Sequence, residues 1–250
     1  APSADPGRQL EALVQLIGDL PAAVFWIGDA NLSEPALWRH LRTLNMVLIP
    51  KEYDAPDAPP PAGGEETHEA MMFRHGDGNV LAEVLPVLDA AQFSRVFGPA
   101  KALMFLAPDH PGSDGSPLRR AALPDDAPPA PPGLLKLSMD EMRGIEEFRF
   151  ERSQLRIARY LRSVAPEQAQ RLSDAELSRS TARWMEEAQS HGVKSEAALG
   201  RWSYLQLITT GEIGKRKEVT DYLRQGHPGH AADQRVQDLM HMAAFRIAGG

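Results

Sequence analysis

The residues best suited to chemistry lie close together, between positions 68 and 77 of the chain. His68, His75 and Asp77 could form an acid–base site in which a histidine moves a proton, so a hydrolase is one hypothesis. The local sequence favours a structural role for Asp77. An aspartate directly before G-N-V-L is typical of a helix N-cap, and Arg74 lies close enough in sequence to pair with it. We therefore predict that Asp77 is a cap, that Arg74 is its ion-pair partner and that the chain is not an enzyme.

A second group of polar residues near the end of the chain could in principle bind a metal ion. It comprises His227, His230 and His241, with Asp233 and Asp238 nearby. Their spacing matches no zinc motif, and the chain has no cysteine to provide a thiolate ligand. The sequence H-P-G-H is more typical of a turn, so we predict neither a metal nor a cofactor.

Other sequence features exclude several function classes. The chain has no G-x-S-x-G elbow and no phosphate-binding loop, because G-E-I-G-K-R has the wrong spacing. A formal net charge of −7 disfavours a nucleic-acid partner held by a basic face. No apolar run approaches the roughly 18 residues of a membrane span, and no signal peptide is visible. We therefore expect a cytoplasmic protein that binds no membrane. Because the sequence lacks an initial Met, we also expect that its N-terminus has been trimmed.

The first 107 residues have the alternating pattern of a small α/β layer. Helical spacing over 9–19 is followed by a short apolar segment at 22–27, and Ser33 is placed to cap a helix that precedes a strand at 46–49. A Pro-rich loop over 53–66 separates this strand from the next. The segment 68–109 then reads as strand, helix and strand, with one helix from Asp77 to Phe97. We predict an α/β fold with a small mixed or antiparallel sheet.

The remaining chain predicts a tether and a helical domain. Residues 108–136 are rich in Pro, Asp and Gly, which predicts an extended linker. Residues 137–250 predict an all-α bundle of four or five helices, with capping boxes at Ser138–Glu141 and Ser173–Glu176 and a cap at Ser195. The predicted domains are thus 1–107, with an abbreviated N-terminal part, and 137–250.

Four short motifs in the α/β part resemble the effector-adaptor chaperones of type VI secretion, a family whose domain was long of unknown function. Residues 40–42 read H-L-R, 73–81 read F-R-H-G-D-G-N-V-L, 85–89 read L-P-V-L-D and 97–99 read F-G-P. The order and spacing are similar to those of the family, whose second motif is close to f-R-f-y-D-p-r-V-L. Here Gly76, Gly78 and Asn79 replace an aromatic residue and Pro-Arg, which we expect to loosen the start of the helix. The signature residues are His40, Arg42, Arg74, Asp77, Leu81, Phe97, Gly98 and Pro99.

The resemblance implies an adaptor without enzymatic activity. Such a protein binds a toxic effector and helps to load it onto the valine-glycine repeat spike protein (VgrG), so the implied partners are the effector and the spike. Aromatic residues dominate the binding energy of many interfaces. We therefore take four of them as anchors wherever they are exposed, although burial in the core is the commoner fate of such residues: Trp38, Phe93, Trp202 and Tyr204. A secreted effector fused to a toxin is a further hypothesis, but the helical region contains no toxin motif.

Overall fold

The computed structural model divides the chain into two compact units, 1–149 and 150–250. The structure describes residues 6–18, 20, 22–53, 67–108, 110, 116–225 and 229–248. The first unit contains strands and helices, whereas the second is helical. The predicted class, α/β followed by an all-α region, is confirmed.

The first unit contains an antiparallel sheet of three strands in the order β1-β4-β5. These strands are β1 (Val24–Ile27), β4 (Ala102–Leu106) and β5 (Leu118–Ala122). The central strand A-L-M-F-L is largely buried, and it pairs on one side with V-F-W-I and on the other with L-R-R-A-A. An apolar central strand between two partners is the pattern expected of a sheet that covers a core.

A second sheet of three strands is mixed, in the order β3-β2-β6. Its strands are β2 (Met46–Pro50), β3 (His68–Met72) and β6 (Leu135–Lys136). Strand β2 pairs antiparallel with β3 and parallel with β6. The two strands separated by the Pro-rich loop are thus paired with each other, while most of that loop lies outside the described residues.

The first unit also contains helices. They are α1 (Pro6–Ile17), α2 (Glu34–Thr43), α3 (Gly78–Val84), α4 (Ala90–Phe97) and the first part of α5 (Met139–Val164). The core includes Leu44, Leu81, Phe97, Leu103 and Leu135, all of them almost fully buried. Each comes from a different part of the chain, so the core depends on the complete unit.

The prediction of one helix from Asp77 to Phe97 is wrong. The segment forms two helices, α3 and α4, separated by a 3-10 turn over Leu85–Val87. Proline at position 86 cannot continue an α-helix, and Asp89 starts the next one with a capping box to Gln92. The break directs Phe97 into the core and brings Gly98 beneath α2.

The prediction of a linker over 108–136 is also wrong. Residues 118–122 and 135–136 are the outer strands β5 and β6, and both belong to the first unit. The open edges of β4 and β2 offer backbone groups to any extended neighbour, so a Pro-rich segment can pair wherever its prolines lie outside the ladder. The boundary between the units lies at 149/150, within α5, rather than at either end of 108–136.

The second unit is a helical bundle around a core centred on Trp202, Leu205 and Met185. Its helices are the last part of α5, α6 (Pro166–Ala169), α7 (Asp174–Ser190), α8 (Glu196–Ile208), α9 (Glu212–Lys215), α10 (Lys217–Gln225) and α11 (Ala232–Ala248). The three predicted caps, at Ser138, Ser173 and Ser195, are confirmed by side-chain hydrogen bonds to the backbone. Within the described ranges, no helix combines the length and apolar character needed to cross a bilayer.

Candidate protein-binding surfaces

The first and last signature motifs meet at one corner of the α/β unit. His40, on α2, donates a hydrogen bond from Nε2 to the carbonyl oxygen of Val96 over 2.8 Å. Gly98 ends α4 with φ of 54° and ψ of −120°. A Cβ atom at Gly98 would lie 2.3 Å from the His40 ring. The F-G-P motif therefore needs glycine for two reasons, a left-handed backbone and direct contact with the histidine of H-L-R.

Trp26, on β1, contacts two histidines of this corner. Its ring meets those of His40 and His75 edge-on, with centroid distances of 6.1 and 6.2 Å. His75 also contacts Asn45, with 3.1 Å between Nε2 and Oδ1. Burial lowers the pKa of both histidines, and Arg95 and His75 lower that of His40 further, against the hydrogen bond to Val96. Both rings are thus packed as neutral groups at pH 7.

Asp77 and Arg74 have the structural roles predicted for them. Asp77 accepts a hydrogen bond from the backbone N–H of Asn79 at the start of α3, and Arg74 lies 3.6 Å from its other oxygen. The expectation that glycine loosens this corner is wrong at Gly78. A Cβ atom there would lie 2.4 Å from the carbonyl oxygen of Leu106, so glycine allows α3 to begin directly against β4.

The hydrolase residues are held by different partners. Within the described part of the chain, no hydrogen bond joins His75 to Asp77, and His68 lies 3.3 Å from the carbonyl oxygen of Leu137. Nor do the described residues include a group of three His, Asp or Glu side chains arranged to hold a metal ion.

Of the residues considered for a metal site, His227 lies outside the described residues. His230 binds Asp238 over 3.0 Å, and Asp233 accepts the backbone N–H groups of Lys194 and Ser195. The contacts of Asp233 and Asp238 therefore hold parts of the second unit together.

Arg95 is a structural residue that the sequence reasoning missed. Its buried guanidinium donates from Nε to the carbonyl oxygen of Gly133 over 2.8 Å, and from a terminal nitrogen to the Thr43 hydroxyl over 3.0 Å. It therefore fixes the segment before β6 to the end of α2. Its placement at the end of α4, facing inward, depends on the helix break that was not predicted.

Helix α2 exposes a candidate binding face that carries one of the signature motifs. None of its ten residues is fully buried. The side chain of Trp38 is 63% exposed, and Arg42 lies one turn later on the same face, also exposed. A tryptophan and an arginine in solvent, on a helix fixed from behind by His40, form a rigid surface of the composition found at interface hot spots.

The other predicted anchors differ in exposure. Trp202 is 0% exposed, so its prediction as an interface residue is wrong, because it fills the centre of the second core. Phe93 is partly buried and stacks on Phe97 with ring centroids 4.6 Å apart. Tyr204 is partly buried as well and lines a groove in the second unit.

This groove has a volume of about 890 Å³ and is formed by α6, α8, α9, α10 and α11. Its floor is apolar and includes Leu205, Ile208, Ile213, Val219 and Leu239. Its rim is polar and includes Tyr222, whose hydroxyl donates to Asp238 over 2.8 Å. The sequence shows these apolar residues but not the groove, which depends on how several helices pack.

A polar contact between α7 and α8 lies against α9. The Gln206 side chain donates to Glu187 over 2.6 Å, and burial raises the pKa of that carboxyl group. Gly214, on α9, lies directly over this pair. A Cβ atom there would approach the Gln206 nitrogen to 2.4 Å. The glycine of G-E-I-G-K-R is thus a packing position, consistent with rejecting a phosphate loop there.

Comparison of the chain with protein-family models, with curated proteins and with solved structures finds no match.

Proposed function

We propose that this protein is an adaptor that binds a type VI secretion effector and helps to load it onto the VgrG spike. The proposal begins from the four motifs that resemble the adaptor family. The observation that carries it is the solvent-facing side of α2, where Trp38 is 63% exposed on the same helix as the H-L-R motif.

The contacts of the signature residues support a binding role rather than a catalytic one. His40, Gly98, Asp77 and Leu81 are engaged in packing, capping or backbone contacts. Through its contacts with Val96 and Gly98, His40 holds the inner side of α2, whose outer face has no such engagement at Trp38 within the described residues. A helix fixed on one side and exposed on the other suits recognition of a partner that does not require rearrangement.

Co-purification tests this proposal most directly. The tagged protein is expressed in its own bacterium together with the neighbouring genes, and the captured proteins are identified by mass spectrometry. We expect an effector and VgrG to be retained. Trp38→Ala should weaken retention of one of them at least tenfold, since buried interface tryptophans commonly contribute about 2 kcal/mol or more.

A matched variant controls for general loss of aromatic surface. Tyr160 is a partly exposed aromatic on α5, so Tyr160→Ala should leave retention unchanged. Circular dichroism checks that both variants fold. If neither an effector nor VgrG is retained by the unmodified protein, the adaptor proposal is wrong. If both variants lose retention of the partner equally, α2 is not the binding face.

The hydrolase alternative is tested with His75→Ala and Asp77→Ala. We expect both variants to lose stability, because His75 packs against Trp26 and Asp77 caps α3. Secretion of the effector should then fall in proportion to folded protein. Normal secretion with loss of a catalytic turnover would instead favour the enzyme.

A further inference from the structure

The groove of the second unit has an apolar floor with no charged side chain. Leu205 and Leu239 are buried there, and Ile208, Ile213 and Val219 are partly buried. Met242 lies at its edge and is 50% exposed. Methionine is flexible and adapts to different apolar partners. The floor therefore suits aliphatic side chains.

The charged residues that line the groove lie at its rim, and three of the four are acidic. Glu212, Glu218 and Asp238 contribute three carboxylates, against the single guanidinium of Arg216. Asp238 already accepts from Tyr222, and Glu212 pairs with Lys215 over 2.7 Å. Counting Lys215 with these four residues leaves a formal excess of one negative charge, which favours a cationic occupant.

Apolar floor and charged rim together match one mode of peptide recognition. An amphipathic helix presents apolar side chains at i, i+3/i+4 and i+7, and its flanking residues meet the edges of the groove that receives it. A volume of about 890 Å³ accommodates several such side chains. An extended strand would need an open sheet edge, and the walls of this groove are helices.

We propose that this groove binds an amphipathic helix of the effector that places aliphatic side chains on the floor and Lys or Arg residues against the rim. The inference rests on the proposed adaptor function and adds to it the chemistry of the segment recognised. It assigns effector recognition to the second unit, whereas the exposed face of α2 belongs to the first.

Fluorescence anisotropy with the full chain tests the groove with three labelled 16-residue peptides. The first carries leucines at helical spacing with lysines on both flanks. The second replaces the lysines by glutamates, and the third contains the residues of the first in scrambled order. We expect the basic amphipathic peptide to bind at least tenfold more tightly than either of the others. Absence of saturable binding, or equal affinity for the scrambled peptide, would overturn the proposal.

Two substitutions locate the binding site. Val219→Asp places a charge on the apolar floor of the groove and should weaken binding of the basic peptide at least tenfold. Val164→Asp, at an exposed valine on α5 of the same unit, should have no effect. Arg216→Glu removes the rim cation and should tighten the basic peptide about two- to fivefold without disturbing the floor. An unchanged affinity in both Val219→Asp and Arg216→Glu would place the peptide elsewhere and refute the assignment.

The same variants separate this inference from the adaptor proposal. If Val219→Asp retains the effector as well as the unmodified protein does, the groove is not the recognition site, although the adaptor function stands. If the unmodified protein retains no effector, the adaptor function is wrong, whatever the peptides do. Sedimentation provides a further check. A dimer that Val219→Asp dissociates would identify a second copy of the chain as the occupant and overturn the proposal.

Discussion

Substitution of Gly98 by alanine should destabilise the α/β unit through two separable effects. The first is backbone strain, because φ of 54° with ψ of −120° is unfavourable for a residue with a Cβ atom and costs about 1–3 kcal/mol. The second is displacement of the His40 ring, which the new methyl group would meet at 2.3 Å. Loss of the hydrogen bond from His40 to Val96 then adds about 1 kcal/mol. We expect a total of about 2–4 kcal/mol.

A double-mutant cycle separates the two effects. In a His40→Ala background the ring is gone, so Gly98→Ala should cost only its backbone strain, about 1–3 kcal/mol. The difference between the two backgrounds should be about 1 kcal/mol, the cost of the lost hydrogen bond. Gly133→Ala provides the matched control, because Gly133 also has a positive φ but a methyl group there would meet no atom within 4 Å.

Hydrogen exchange measured by mass spectrometry is the appropriate assay. A chain of two units need not unfold in one step, so a global midpoint would mix their stabilities. The amides of β4, next to the fully buried Leu103, report opening of the first unit alone. An equal cost of Gly98→Ala in both backgrounds would refute the proposed clash with His40. A cost below about 0.5 kcal/mol would refute the strain as well.

Four other perturbations have defined outcomes. Burial lowers the pKa of His75 below its value in the unfolded chain. The stability that His75 contributes is therefore present above the unfolded pKa and is lost as pH falls through the folded pKa. His75→Gln should flatten this decline in stability between pH 7 and 5, as measured by hydrogen exchange. Burial raises the pKa of Glu187. The stability that Glu187 contributes is therefore present below the unfolded pKa and is lost as pH rises through the folded pKa. Glu187→Gln should remove this loss of stability, as measured by thermal melts of the bundle followed by circular dichroism. Gly214→Ala should destabilise the bundle by about 1–3 kcal/mol in urea unfolding, because its methyl group would lie 2.4 Å from the Gln206 nitrogen. Arg95→Lys keeps the charge but has only one nitrogen, so it cannot donate to Gly133 and Thr43 in the arginine's geometry. The segment before β6 is then held less firmly, and the amides of β6 should exchange about tenfold faster or more.

Local sequence signals predicted the elements that local chemistry determines. Ser33, Asp77, Ser173 and Ser195 each cap a helix as expected, because a side-chain oxygen satisfies nearby backbone N–H groups without help from distant residues. The apolar runs at 24–27 and 102–106 form strands for a similar reason. The capping box at Asp89 was equally visible, and recognising it together with Pro86 would have divided the helix correctly.

Features that depend on distant pairing were not predictable in this way. Strand β5 lies between Pro117 and Pro124, and its sequence L-R-R-A-A has little intrinsic strand preference. It is a strand because β4 offers an open edge. The roles of Arg95 and Gly214 likewise follow from which backbones approach each other. The groove arises in the same way from the packing of short helices.

The pairing of β5 and β6 with the sheets also has a consequence for synthesis of the chain. Residues up to 107 contain only two strands of each sheet, and the outer partners of β4 and β2 lie further on, ending at residue 136. At about 5–20 residues per second, a ribosome adds the intervening residues in about 1.5–6 s. During about the first half of that interval, until β5 is complete at residue 122, the apolar strand A-L-M-F-L has an unprotected edge. The nascent chain is therefore most exposed to aggregation before its Pro-rich segment over 108–136 has been made. In the finished sheet β5 is an outer strand, and the prolines on either side of it limit how far its free edge can pair with another strand.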